Sequence, residues 1–221
     1  MERKFNFSTD EYYHIYNRGT DKRIVYLDER DRLRFLVLLY ITNSNKAIHV
    51  SDYIGKQYPD FFNVERGNTL VDIGAYCLMP NHFHILVRAK DDRGISTFML
   101  KLLTAYTMYF NKKHQRTGSL FEGTFRAKHV DDDTYLRYLF AYIHLNPIKI
   151  VDTHGWEKKN LSNEKKAKEF LDSYNFSSYK NYADKTKQGP ENVILNMPAF
   201  PSYFENQNDF TEYLDTWLNY S

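Results

Sequence analysis

Two histidines separated by a single residue are the side chains of this sequence best placed to do chemistry. His82 and His84 flank Phe83 within a run of strand-forming residues. Residues two apart in a β-strand project from the same face, so these imidazoles would lie side by side. Such a pair is either part of a metal site or two polar side chains that share a surface. The rest of a site must therefore come from elsewhere in the chain.

A second group of candidates lies in residues 133–147, where acids precede a helical pattern and Pro147 ends it. Tyr138, Tyr142 and Asn146 are spaced four apart and would share one face of that helix. Tyrosines on helices also commonly pack their rings into a core, and Asn146 could equally be a helix cap. Spacing alone leaves both interpretations open.

Taken together, the two groups predict phosphodiester chemistry. A tyrosine hydroxyl has a pKa of about 10 and is a poor nucleophile at neutral pH until it is activated. A divalent ion held by His82, His84 and the amide oxygen of Asn146 would polarise a phosphodiester. This mixed set of nitrogen and oxygen ligands would leave positions open for water or phosphate. Tyr142, one helical turn before Asn146, would be held at a fixed spacing from that ion.

The elements that must position these residues follow the order β-α-β-β-α-β-α. Strands are predicted at residues 11–18, 69–79, 82–89 and 120–130, and helices at residues 28–40, 94–113 and 135–146. This order indicates an α+β fold of the ferredoxin-like, split βαβ type, with an antiparallel sheet, helices on one face and an added C-terminal region.

The same patterns suggest how the chain is divided. The predicted catalytic core spans residues 1–151 and contains an irregular insertion at about residues 43–68. Residues 152–221 form a C-terminal extension, with an exposed helix predicted at residues 158–168. An acidic, aromatic tail begins at about residue 190.

Composition narrows the class of protein. The single cysteine, Cys77, excludes an intramolecular disulfide and a cysteine-based zinc site, and it fits a reducing cytoplasm. The sequence shows no signal peptide and no apolar run of about 18 residues, so we expect a cytoplasmic protein with no membrane partner.

Charge is distributed unevenly along the chain. The net charge is only +2, but residues 191–221 hold five acids and no lysine or arginine. This leaves 30 basic against 23 acidic residues, a net charge of +7, in positions 1–190. A basic body of this kind favours a polyanionic partner.

Several motifs, in this chain order, resemble those of one known family. They are residues 13–19 (YHIYNRG), 76–87 (YCLMPNHFHILV), 116–125 (RTGSLFEGTF), 142–147 (YIHLNP) and 174–179 (YNFSSY). They resemble the single-tyrosine HUH transposases, the insertion-sequence-200-like group, and among these the REP-associated tyrosine transposases. The resemblance covers most of residues 12–182. The insertion at 43–68 is longer than expected, and the acidic tail has no matching counterpart.

The resemblance implies a specific activity. Such enzymes are metal-dependent DNA strand transferases with a ferredoxin-like core, and they act on single-stranded DNA next to a hairpin. Tyr142 would be the catalytic residue that cleaves the strand and forms a 5′-phosphotyrosine link. His82 and His84 would bind Mg²⁺ or Mn²⁺, with Asn146 as third ligand. Either a monomer or a homodimer fits the family.

Two other functions stay open. The protein could be a derivative that binds single-stranded DNA without turnover, or a metal-dependent phosphodiesterase in which water attacks and Tyr142 is structural. His129 and His144 compete with Asn146 for the third position. His144 should point to a different helical face from Tyr142, and His129 could reach the site only if the sheet order permits.

DNA contacts are predicted within the matched motifs. Phosphate contacts are expected from Arg18, Arg116, Arg126 and Lys128. Tyr13 and Phe121 are expected to stack on unpaired bases. Core packing of the aromatic rings, or simple solvation of the basic side chains, is the competing interpretation for each.

Overall fold

The computed structural model describes residues 6–53, 55–152, 156–158, 161–184, 186 and 188–218. Four strands in this part of the chain are β1 (Tyr12–Arg18), β2 (Val71–Met79), β3 (His82–Ala89) and β4 (Arg126–Val130). Its α-helices are α1 (Glu29–Ile41), α2 (Gly94–Lys113), α3 (Asp133–Leu145), α4 (Ile148–Val151), α5 (Glu164–Ser173), α6 (Tyr179–Ala183) and α7 (Gln207–Leu218). No helix within these ranges combines the length and apolar character needed to cross a membrane.

The strands form one antiparallel sheet in the order β2-β3-β1-β4. The two central strands, β1 and β3, pair with Tyr16 opposite His84 and Arg18 opposite His82. β2 is linked to β3 by the tight turn predicted at Pro80 and Asn81. This order, with α1 and α2 as the crossover helices, confirms the predicted α+β ferredoxin-like class.

The two faces of the sheet are covered by different layers. Tyr13 and Ile15 of β1, with Phe83 of β3, pack against α1 and α2 in the largest hydrophobic cluster. We call this side the α1/α2 face. Residues of the opposite parity, such as Leu86, pack against α3, and we call that side the α3 face. The two crossover helices therefore share one face, and the added helix α3 covers the other.

Most predicted elements agree with the structure, and one is wrong in its first half. The strand predicted at residues 120–130 is regular only as β4. Leu120 and Phe121 are buried among the side chains of the α1/α2 layer instead of extending the strand. Gly123 has a φ of +62°, a backbone conformation that glycine adopts readily and a regular strand does not contain. The large apolar residues that suggested a strand are instead the side chains that anchor a loop to the α1/α2 layer.

The segment at residues 43–68 is built around short 3-10 helices, Val50–Tyr53 and Tyr58–Asn63. Phe61 and Phe62 are buried in the α1/α2 layer, where Phe62 contacts the ring of Tyr40 on α1. Part of this segment therefore contributes to the main core.

The C-terminal region covers one edge of the sheet and part of the α3 layer. The backbone of β2 is hydrogen-bonded along its outer edge by Phe176, Ser178 and Asn196. α7 buries Phe210 and Leu214 in a cluster shared with α3. The helix predicted at residues 158–168 includes residues 159 and 160, which lie outside the described ranges, and α5 begins only at Glu164. Residues 219–221 of the predicted tail also lie outside them.

Candidate active site

The paired histidines lie on the α3 face of β3, as their spacing predicts. The ring centroids of His82 and His84 are 5.0 Å apart. His84 is 6% exposed, whereas His82 is only partly buried. Both rings line a cleft of about 230 Å³ together with Tyr16, Asn17, Arg18, Glu122, Arg126 and Tyr142.

Each histidine uses its δ nitrogen to contact a neighbouring side chain. Nδ1 of His82 lies 2.6 Å from Oδ1 of Asn81. Nδ1 of His84 lies 2.8 Å from Nε2 of His14 on β1. Among the described residues, the Nε2 atoms of His82 and His84 make no hydrogen bond. The fold thus occupies one nitrogen of each ring and leaves the other free for a ligand.

Tyr142 meets this pair from the other side of the cleft. Asp132 caps α3 by accepting a hydrogen bond from the Tyr135 amide, and the apolar stripe of the helix packs on the sheet. The Tyr142 ring lies edge-on to His84, with centroids 5.2 Å apart, and 5.8 Å from His14. The structure therefore brings the predicted nucleophile next to the predicted ligands.

Asn146 ends α3 one turn after Tyr142. Its backbone is helical, and its Nδ2 donates to the Tyr142 carbonyl at 3.1 Å. Its Oδ1 is buried and has no hydrogen-bond partner. A buried acceptor without a partner is unfavourable by about 1–3 kcal/mol, which is expected when the atom serves a ligand. Asn146 is 1% exposed and lies behind the residues that line the cleft.

Burial controls the protonation state of the site. Loss of solvation lowers the pKa of His14 and His82 to about 4, and it lowers the pKa of His84 well below the usual value for histidine. At neutral pH these rings are uncharged and keep the nitrogen lone pair that a metal ion needs. Burial also raises the pKa of Tyr142, and the nearby Asn146 side chain only partly offsets this rise. Tyr142 is therefore a neutral phenol that must be activated.

The residues present fit a small divalent cation. Imidazole nitrogens suit divalent first-row metals and an amide oxygen suits Mn²⁺ or Mg²⁺, and a set of three such ligands leaves positions for water and phosphate. No group of three His, Cys, Asp or Glu side chains in the described ranges is placed to hold a metal ion. Any such site must therefore include a ligand of another type, and the unpaired Oδ1 of Asn146 is of that kind.

An arginine pair lies at the mouth of the cleft. Nη2 of Arg18 lies 3.1 Å from Oε1 of Glu122, and Nη2 of Arg126 lies 3.7 Å from Oε2 of the same carboxylate. The side chains of Arg18 and Arg126 are 41% and 63% exposed. Both guanidinium groups can reach a phosphate in the cleft while Glu122 holds them in place.

The other predicted DNA contacts are placed differently. Lys128 lies on the α3 face, exposed, with its Nζ 4.0 Å from the centroid of the Tyr135 ring. Arg116 lies beyond the end of α2, where it is hydrogen-bonded to Asn111 and stacked near Phe110. Lys128 remains beside the α3 layer, whereas Arg116 is on the other side of the sheet.

Base stacking by Tyr13 and Phe121 is not retained, because both rings are inside the core. Tyr13 is 1% exposed and packs on Phe7 and His129 on the α1/α2 face. Phe121 is 4% exposed and packs on Phe83. A base could reach either ring only if this layer opened.

The competing histidines are also accounted for. His129 points to the α1/α2 face and contacts Glu11 at 2.9 Å. His144 is fully buried and hydrogen-bonded through both nitrogens, to the Phe140 carbonyl and the Ser178 hydroxyl. His129 faces away from the cleft and both nitrogens of His144 are bonded, so neither is placed to be the third ligand, and that role for Asn146 stays a prediction.

Sequence reasoning missed two residues that line the cleft, Tyr16 and Glu122, and two that lie against its rings, His14 and Lys149. His14 and Tyr16 alternate along β1 with Arg18, which was predicted, and all three share the α3 face, a signal that is present in the motif at residues 13–19. Lys149 lies with its Nζ 5.0 Å from the centroid of the Tyr142 ring. The position of Glu122 could not be predicted from the sequence, because its ion pair with Arg18 depends on the conformation of the loop at residues 120–125.

Comparison with known proteins places these residues in a family. The model of the family described as IS200-like transposases matches residues 35–146, just over half of the chain. The chain belongs to the IS200-like transposase family. The matched range contains His82, His84, Tyr142 and Asn146, whereas His14 and the rest of β1 precede it.

The remaining comparisons add less. One similar solved structure is that of a REP-associated tyrosine transposase bound to a REP hairpin. It has 13% identity and a TM-score of 0.49, and the alignment covers 86% of this chain and 89% of that one. A search of curated proteins found no match.

Proposed function

We propose that this transposase is a metal-dependent strand transferase that cleaves and rejoins single-stranded, hairpin-associated DNA through a covalent 5′-phosphotyrosine at Tyr142. The observation that carries the proposal is the position of the Tyr142 ring, 5.2 Å from His84 across the cleft. The free Nε2 atoms of the two histidines and the unpaired Oδ1 of Asn146 support it. The motifs that resemble the HUH transposases point to the same chemistry.

The proposed reaction is a transesterification. Oη of Tyr142 attacks the phosphorus, the bond from phosphorus to the 3′ oxygen breaks, and the leaving strand ends in a 3′-hydroxyl. The phenolic proton is lost and the leaving oxygen gains one, so no water or nucleotide is consumed. Because one phosphodiester replaces another, a 3′-hydroxyl can later reverse the step and rejoin DNA. A bound Mg²⁺ or Mn²⁺ would supply polarisation of the phosphate.

The cleft suits an unpaired strand. Its volume of about 230 Å³ accommodates a phosphate and its nearest groups, not a duplex. Arg18 and Arg126 would position that phosphate through charge-assisted hydrogen bonds. Tyr16 also lines the cleft and is only partly buried, so it can offer its ring to an unpaired base.

The test uses single-stranded oligonucleotides with a hairpin, each labelled at one end, with Mn²⁺. With a 3′ label, a protein-sized band should appear on a denaturing gel. With a 5′ label, a short free product with an extendable 3′-hydroxyl should appear. Tyr142→Phe should abolish both, whereas Tyr138→Phe, one turn earlier on the same helix, should retain them.

Three outcomes distinguish the alternatives. A covalent band that persists in Tyr142→Phe would contradict the assignment of the nucleophile. Cleavage without a covalent band would favour a phosphodiesterase that uses water. Tight binding without cleavage, across varied hairpins and flanking sequences, would favour a silent DNA-binding derivative.

A further inference from the structure

His14 on β1 is hydrogen-bonded to the cleft residue His84 and takes no part itself in the proposed transesterification. It lies on β1, before the range matched by the family model, and its side chain is 6% exposed. Its backbone is opposite Leu86, so its ring crosses diagonally to His84. The two rings are nearly parallel, with centroids 5.0 Å apart and an interplanar angle of 29°. Their closest nitrogens are 2.8 Å apart, a good hydrogen bond.

A hydrogen bond between two neutral imidazoles has only two arrangements. Either Nδ1 of His84 donates to Nε2 of His14, or Nε2 of His14 donates to Nδ1 of His84. A neutral ring carries one N–H, so in the first case Nε2 of His84 keeps its lone pair. In the second case Nε2 of His84 carries the hydrogen and cannot bind a cation. The direction of this bond therefore decides whether His84 can be a ligand.

The tautomer of His82 also decides whether its Nε2 can bind a cation, and here a contact with Asn81 settles the tautomer. Asn81 Nδ2 donates to the Lys22 carbonyl at 3.1 Å, which turns its Oδ1 towards His82. An amide oxygen only accepts, so Nδ1 of His82 must carry the hydrogen, and its Nε2 is left with the lone pair. Histidines that bind a metal ion commonly have such a hydrogen-bond partner on their other ring nitrogen, and this partner fixes the orientation and tautomer of the ring.

We infer that His14 is a positioning residue that accepts a hydrogen bond from Nδ1–H of His84 and holds the Nε2 lone pair of His84 available to a divalent cation. The inference rests on the proposed function, in which His84 is a ligand. In this arrangement Asn81 and His14 act in parallel, one on each histidine of the pair. Two elements outside β3, the turn before it and the strand beside it, thereby set the tautomers of both rings.

The direct test is the tautomer of His84 without metal. Long-range ¹H–¹⁵N NMR of the uniformly ¹⁵N-labelled protein at neutral pH distinguishes the two forms. Wild type should show His84 mainly with hydrogen on Nδ1. In His14→Phe, which keeps an aromatic ring but offers no acceptor, the His84 signals should shift towards a mixture. His14→Gln, which can offer an oxygen near the Nε2 position, should restore the wild-type form.

The second readout is binding of Mn²⁺ alone, followed by the EPR signal of the free ion. His14→Phe should weaken binding about 10- to 100-fold, the range found for partners of metal-bound histidines. His14→Gln should stay within several-fold of wild type. His129→Phe, on the opposite face of the same sheet, is the control and should bind Mn²⁺ like wild type.

The outcomes separate this inference from the proposed function. A wild-type His84 with hydrogen on Nε2, or a folded His14→Phe variant that binds Mn²⁺ like wild type, would overturn the role of His14 and leave the Tyr142 chemistry standing. Failure of wild type to bind Mn²⁺ or form an adduct would count against the proposed function, whatever the NMR shows. If His14→Phe does not fold, the wild-type spectrum and His14→Gln still decide.

Discussion

The two faces of the sheet differ: the α1/α2 face packs the main hydrophobic core, and the α3 face carries the candidate active site. On the α1/α2 face, Phe83 is fully buried between Phe35 and Phe121, and the neighbouring residues are apolar. On the α3 face, one residue away on the same strand, His84 is almost as deeply buried yet keeps a free nitrogen. The difference shows that burial by itself does not mark a stability residue. What separates these two neighbours is their chemistry: Phe83 is an apolar ring packed on other rings, whereas His84 keeps one ring nitrogen that no described residue bonds.

The charged groups of the α1/α2 layer illustrate the contrast. Asp31 on α1 is fully buried and accepts hydrogen bonds from Lys113, His114 and the Leu27 amide. Every one of these contacts serves the fold. On the α3 face, Oδ1 of Asn146 is just as buried and has no partner. The buried carboxylate of Asp31 is thus held by the fold, whereas the buried amide oxygen of Asn146, beside the candidate site, has no partner within it.

The strongest test of this contrast substitutes adjacent residues of β3. Phe83→Ala should lower the free energy of unfolding by about 3–5 kcal/mol, because it leaves a cavity between aromatic rings. His82→Ala should lower it by less than about 1 kcal/mol, because the ring is partly exposed and faces the cleft. The same His82→Ala protein should lose most Mn²⁺ affinity. Urea denaturation and Mn²⁺ titration of both variants check this, and similar losses of stability would contradict the division of faces.

A second test removes the buried charge of the α1/α2 layer. Burial alone would raise the pKa of Asp31, but hydrogen bonds from Lys113, the Leu27 amide and His114 outweigh it, so the pKa is lowered. Asp31→Asn should cost about 2 kcal/mol at neutral pH, since it leaves Lys113 without its innermost partner.

The same residue predicts a pH dependence. A carboxyl whose pKa is lower in the folded state stabilises the protein above its unfolded value, about 3.9, and loses that contribution as the pH falls through the folded value. Wild-type stability should therefore drop more steeply below about pH 4 than that of Asp31→Asn. Urea midpoints from pH 7 to pH 3 measure the difference. Asp92→Asn, at an exposed turn, should follow wild type, and parallel curves for all three would contradict the assignment.

Local patterns were sufficient for elements whose structure depends on local chemistry. The predicted bounds of α2, residues 94–113, and of β3, residues 82–89, are confirmed, because helical periodicity and strand alternation are strong in both. The same alternation put His82 and His84 on one face. The spacing of Tyr142 and Asn146 on α3 likewise follows from helical geometry alone.

What the sequence could not supply depends on contacts between distant segments. Alternation shows that Tyr13 and His14 face opposite sides of β1, but not which side becomes the cleft. That choice is made by where α3 packs, more than one hundred residues further along the chain. The loop at residues 120–125 was mistaken for a strand because its apolar residues are anchored by distant aromatic rings. Glu122 gains its role only through that loop.

A smaller effect is expected at the mouth of the cleft. Glu122→Gln would free Arg18 and Arg126 from a carboxylate that competes with phosphate. We expect single-stranded DNA affinity at low salt to rise by up to about 5-fold, in line with the energy of exposed ion pairs. The affinity of this variant for DNA should also fall more steeply as the salt concentration rises. Fluorescence anisotropy measures both, with Glu65→Gln, an exposed pair to Lys46 in the 43–68 segment, as control. Weaker binding would instead mean that Glu122 is needed to orient the arginines.

The last prediction concerns the thiol of Cys77, on the strand beside the paired histidines. Cys77 lies opposite His84 on β2 and is fully buried, and burial raises the pKa of its thiol. Only a thiolate exposed to solvent reacts with a disulfide reagent, so labelling must wait for the protein to open. For a domain of ordinary stability the open form is populated at about one part in a thousand or less. Labelling of the native protein should therefore be slower than that of the urea-unfolded chain by at least about a thousandfold. Mn²⁺ should not accelerate it. Rapid labelling would mean that the α3 face opens along β2 and that solvent from the cleft reaches Cys77 in the folded protein.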